Sequence, residues 1–210
     1  MDNKRKILTK KNLVEEIKVG CMQKVNLEEK LIEAFIRLGF DEYRKISTGE
    51  LIFSQDVFKQ CEKNTCGNFG KNYGCPPLAG SEEERKLRVL SHRDAFVISK
   101  IVSFTSRKEM QNSTELLNRI HRELRQEFED EDVLIMGPGP CTVCKKCSAI
   151  DGLPCRYPEK TQYSLEGSGI DVVRMSKELN MTYNAGGGRI GFFSLVLYNS
   201  RAASIRSGLT

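Results

Sequence analysis

The sequence predicts an α+β fold: a mainly antiparallel sheet with helices on one face, in ferredoxin-like topology, carrying two cysteine-rich metal-binding loops. Three observations point there. Helical and strand-like periodicities alternate along the chain, a hairpin-like pair stands near its start, and each cysteine group falls in a break rich in Gly and Pro. The 210 residues, 39% hydrophobic with 17 Gly, suit one folded domain of ordinary composition.

Residues 1–26 form a basic segment, with Lys4, Arg5, Lys6, Lys10 and Lys11 ahead of a short apolar pattern at Leu13, Val14 and Ile17. It reads as a solvated arm or first helix. The segment lacks the apolar run of a signal peptide, and no stretch approaches the roughly 18 apolar residues of a membrane span. The expectation is a cytoplasmic protein with no membrane span. Residues 27–198 are expected to form a single α+β metal-binding domain, and 199–210 a polar tail.

Leu27, Leu31, Ile32, Phe35 and Leu38 share one helical face, and Gly39 supplies a stop. Tyr43–Ser47 and Leu51–Phe58 look like short strands separated by a turn at Thr48 and Gly49. A cysteine loop over 61–80 follows. Ser81 with Glu84 forms a capping signature ahead of a helix that includes Leu87 and Leu90. Residues 95–104 read as a buried strand, 107–129 as a long helix and Val133–Met136 as a further strand. The second cysteine loop, 137–158, opens with Gly137-Pro-Gly-Pro140. A helix near 168–179 and an apolar strand near 190–198 complete the domain. Both cysteine loops are read as following a strand, so the sheet would hold them at one end.

The eight cysteines decide the chemistry. In a reducing compartment clustered cysteines are better metal ligands or redox centres than disulfides. With only two His, each alone, a zinc site would have to be all cysteine. His121, beside Leu117, Ile120, Leu124 and Phe128, reads as a core residue. Cys141-x2-Cys144-x2-Cys147-x7-Cys155 has the spacing with which three thiolates wrap a cubane and a distant fourth completes it. Structural zinc is the alternative, although zinc sites more often use two separated Cys-x2-Cys pairs. Cys61-x4-Cys66-x8-Cys75 supplies three further thiolates, with Gly67, Gly70 and Gly74 between them and Pro76-Pro77 after them. Cys21 is either their fourth partner or a free thiol. If it is free, one iron is left open to water, substrate or an uncommon side chain and can act as a Lewis acid.

Three neighbouring features read as structural. Gly186-Gly-Gly188-Arg-Ile-Gly191 fits a phosphate-binding pattern on paper, but a strand follows it, so it reads as a turn. Tyr163, Ser164 and Glu166 read first as capping residues and Glu166 only second as catalytic. Arg156 stands equally for a surface ion pair and for a neutraliser of cluster charge. Mixed charges with a net +5 predict no nucleic-acid stripe.

CGNFGKNYGCPP, CTVCKKCSAIDGLPCRYPEK and YSLEGSGIDV together resemble the family of small predicted metal-binding proteins known as domain of unknown function 2284. The resemblance runs from about Cys61 to the last strand. It implies cysteine-bound metal, iron–sulfur in anaerobic bacteria and archaea, with Cys61, Cys66, Cys75, Cys141, Cys144, Cys147 and Cys155 as ligands. Cys21 lies outside these blocks. The family commonly has Trp shortly before Cys-Pro-Pro, where this chain has Tyr73. The expected function is therefore that of an iron–sulfur protein with two [4Fe–4S] clusters, an electron-transfer protein or redox subunit with a redox protein partner. The alternatives are an iron–sulfur oxidoreductase binding a small-molecule substrate at an open iron, and a structural zinc module.

Overall fold

The computed structural model describes residues 26–200, so Cys21, the basic N-terminal segment and most of the polar tail lie outside the described residues. The chain divides into a first unit ending at Ala34 and a second beginning at Phe35. The boundary falls within helix α1 (Leu27–Leu38). In the first unit the Asn26 amide donates to Glu29 Oε2 at 3.2 Å, which helps to seat the helix start.

The second unit is built on an antiparallel sheet. Its strands are β1 (Glu42–Ser47), β2 (Asp94–Ser103), β3 (Val133–Met136), β4 (Asn184–Gly186) and β5 (Arg189–Tyr198). Their order is β1-β2-β5-β3, with β4 paired to β5 as a hairpin. Strand β2 pairs with β5 along its whole length, from Asp94 opposite Tyr198 to Ser103 opposite Arg189. The glycine triplet 186–188 is the hairpin turn: all three residues have positive φ, a conformation that suits residues without a Cβ.

Ferredoxin-like topology is not what these strands form. The chain order is not the β-α-β-β-α-β succession, because the edge beside β2 is filled by β1 from the start of the unit. The helices are also not confined to one face. Ala95, Val97, Leu195 and Leu197 point to one side, toward Val89 of α3 (Glu82–Leu90) and Val172 and Met175 of α5 (Val172–Glu178). On the other side Phe96 packs edge-on to Phe35 and stacks on Tyr198, and His121 of α4 (Arg107–Glu127) bonds Ser194. The unbroken buried run Ala95–Ser99 is the sequence counterpart of a sheet covered on both faces.

The second expected strand, Leu51–Phe58, is helical over its second half, from Gln55 onward. Ser47 and Glu50 close a capping box around the tight turn Thr48–Glu50, Phe53 makes a single bridge to Ile170, and α2 (Gln55–Glu62) begins two residues later. Its polar sequence buries only Phe58, so helical geometry, with one inward residue in two turns, suits it better than alternation. The first cysteine loop therefore follows a helix, and only the second follows a strand. The Ser81 capping box is present as expected, with Glu84 N–H to Ser81 Oγ at 3.2 Å and Ser81 N–H to Glu84 Oε2 at 2.7 Å.

Candidate metal centre

Cys61 lies in the last turn of α2, Cys66 in an exposed turn and Cys75 against Pro76, 8% exposed. All three line one cavity of about 320 Å³, walled by Phe69, Pro138, Tyr183 and Phe192. Glu166 also lines it. The residue as a whole is exposed, and it contributes to the cavity wall. Desolvation by neighbouring protein atoms pushes the Glu166 carboxyl above the usual carboxylate range. Burial, then the Glu166 charge, pushes the Cys61 thiol up. Burial followed by the charges of Cys66, Cys61 and Cys141 pushes Cys75 up to about 12. The deprotonated forms of these groups would repel one another, which places them in one electrostatic neighbourhood.

A junction clips this loop to the second one. Asn72, 7% exposed, is its pivot: Oδ1 accepts the N–H groups of Gly74 (2.9 Å) and Cys141 (3.1 Å), and Nδ2 donates to the Cys141 carbonyl (3.0 Å). The Gln162 amide donates toward Cys141 Sγ at 3.4 Å. Gly74 has no room for a side chain, since a Cβ there would lie 2.0 Å from the Gln162 carbonyl oxygen. Ser164 N–H reaches the Gly74 carbonyl and Gly137 N–H the Tyr163 carbonyl, so the 162–164 segment ties both loops to the end of β3. Tyr73 adds a bond from its hydroxyl to the Leu153 carbonyl at 2.9 Å.

In the second loop Cys141, Cys144, Cys147 and Cys155 are all half-buried. Ser148 Oγ bonds the Pro154 carbonyl at 2.7 Å, and Cys155 Sγ lies 3.6 Å from Thr161 Oγ1. Arg156 bonds the Lys146 carbonyl and is exposed. Each loop also lies near an arginine, buried Arg85 or half-buried Arg125, with an unused N–H. Arg85 Nε beside Cys61 and Arg125 Nη1 beside Cys141 are enclosed without a hydrogen-bond partner. Burial lowers the pKa of both guanidinium groups and the nearby thiolates oppose that shift.

The sequence model of one family, described as a predicted metal-binding protein (DUF2284), matches residues 44–198. The chain belongs to this family. The match takes in both cysteine loops, the 162–164 strap and Glu166, and leaves Cys21 outside. No curated protein and no solved structure matches the chain.

The arrangement in this DUF2284 chain suits an anionic metal centre at each loop. Thiolates gathered out of water are held apart by mutual repulsion unless cations neutralise them, and an enclosed guanidinium with a spare N–H suits a charged sulfur acceptor. Among the described residues no three His, Cys, Asp or Glu side chains form a group that could hold a metal ion. The first-loop donors instead line one cavity. Asn72, Gly74, Gln162, Arg85 and Arg125 were not legible as site residues. Arg85 lies four residues before buried Val89 and Arg125 four after buried His121, so both sit at helical spacing from a core position. That spacing was the available signal.

Proposed function

We propose that the chain holds two [4Fe–4S] clusters, one on Cys61, Cys66 and Cys75 and one on Cys141, Cys144, Cys147 and Cys155. It would serve as an electron-transfer protein or redox subunit of anaerobic metabolism in the cytoplasm. The observation that carries this reading is the junction at Asn72 and Gly74, which fastens two cysteine loops side by side, each near an arginine with an unpartnered N–H. Such clusters take up and release single electrons at potentials set by charge, burial and hydrogen bonds to sulfur. The Gln162 amide toward Cys141 Sγ and the spare N–H groups of Arg85 and Arg125 are the residues that would tune them here.

The second loop presents Val143, Ile150, Leu153 and Tyr157 to solvent, among Lys145, Lys146 and Arg156. That mixture suits an acidic redox protein docking over Cys141–Cys155. The enzyme reading, with substrate at an open iron, is favoured by one separate observation: an open, largely apolar cavity lies on the three-cysteine side.

Anaerobic purification tests the proposal. The expected product is brown and holds iron and acid-labile sulfide in equal amounts, about eight of each per chain. A colourless protein with stoichiometric zinc would overturn it in favour of a structural zinc module.

A further inference from the structure

We propose that Glu166 supplies the fourth, non-cysteine ligand to the centre held by Cys61, Cys66 and Cys75. This rests on the cluster reading above and concerns only its first centre. The three thiolates account for three corners of a cubane, and Glu166 is the remaining anionic side chain on the wall of their cavity.

The backbone fixes Glu166 there. Its short helical turn, Glu166–Ser168, packs against α2, which carries Cys61, and α3, which carries Arg85. Ser164 Oγ accepts the Gly167 N–H at 2.9 Å, so Ser164, which shares the cavity wall, is already engaged. Gly169, at φ +80°, ends the turn where a Cβ would lie 2.2 Å from the Phe58 ring. The Glu166 carboxyl has its own backbone amide as hydrogen-bond partner and no other residue among those described. A carboxyl on the same cavity wall as three thiols, with one guanidinium, Arg85, beside Cys61, gathers four groups that repel one another once deprotonated, at a cost to the folded chain. A polynuclear cation among the four donors removes that cost. Carboxylate oxygen is an accepted donor for iron, and it leaves that corner chemically distinct from the thiolate corners.

Iron-enriched holoprotein prepared without oxygen, examined by Mössbauer spectroscopy, tests the assignment. In the wild type about one-eighth of the iron signal should differ from the all-thiolate pattern. Glu166→Gln should alter that fraction alone, Glu166→Cys should convert it to the all-thiolate pattern, and Cys21→Ser should match the wild type. The second centre's signal is the internal control for folding. If both Glu166 variants keep the wild-type spectrum, or if Cys21→Ser removes the first cluster, the inference is overturned and the cluster reading stands. A wild type without iron and sulfide overturns the cluster reading itself.

Discussion

At the scale of single residues, the proton is what metal must displace. Burial and three neighbouring thiols push Cys75 up to about 12, so at pH 8 it is almost wholly protonated, and metal loading has to release that proton. In metal-free protein, iodoacetamide at pH 8 should modify exposed Cys66 first and Cys75 last among the seven described thiols, read by peptide mass spectrometry. Equal rates would contradict the burial of Cys75. His121 makes the opposite case, a titratable side chain used for packing. A carbonyl only accepts, so Nδ1 carries the proton toward Leu117 O (2.7 Å) and Nε2 accepts from the Ser194 hydroxyl. Burial lowers its pKa from 6.5 to about 4. The unfolded chain therefore binds a proton near pH 6.5 that the folded chain refuses until about pH 4. The stability tied to the neutral ring is complete above pH 6.5 and is lost progressively below it. Between pH 7.5 and 5 the wild type should lose about 2 kcal/mol from this group, measured by urea unfolding, and His121→Gln should lack that component.

At the scale of elements, caps and periodicities were legible and connections were not. The Ser81 capping box, the α4 stripe of Leu117, Ile120 and Leu124, and the apolar runs of β2 and β5 all declare themselves locally. Leu51–Phe58 did not, because the apolar run Leu51-Ile52-Phe53 ahead of a polar helix mimics a strand, while only Phe53 forms a lone bridge, to Ile170. The Asn72 junction was equally hidden, since its partners lie 69 residues away in sequence. Two substitutions separate these levels. Ser81→Ala removes a local cap and should cost about 1 kcal/mol with no effect on metal content. Gly74→Ala forces a methyl group against the Gln162 carbonyl and Cys141 Cβ, so the strap has to move. It should cost about 3 kcal/mol and lower iron retention at both centres, measured by denaturant unfolding and iron content after desalting. Iron content equal to the wild type would show that the junction does not hold the centres together.

For the second unit as a whole, two kinds of stabilisation are spatially separate. The sheet and the helices that cover it are held by apolar packing: Ala95, Val97, Leu195, Leu197 and Met136 are all fully buried, and none is within the cysteine loops. The loops over 61–80 and 137–158 are held by a few polar clips, short turns and, on the reading above, by metal. Their outer residues Ile150 and Leu153 are each 54% exposed, so little apolar burial fixes them. Charge adds to the difference. The chain carries a formal +5, and a four-thiolate cluster of about −2 with a three-thiolate cluster of about −1 would bring it to about +2, so metal removal also restores repulsion among Lys145, Lys146 and Arg156. Chelation should therefore loosen the loops before it unfolds the sheet. Far-UV circular dichroism of the chelated protein should retain most of the helix and strand signal, while trypsin cleaves rapidly after Lys145, Lys146 or Arg156, sites protected in the metal-loaded form. Global loss of secondary structure on chelation would instead make metal a condition of folding, as in a zinc finger, and would mean that the buried sheet core is insufficient by itself.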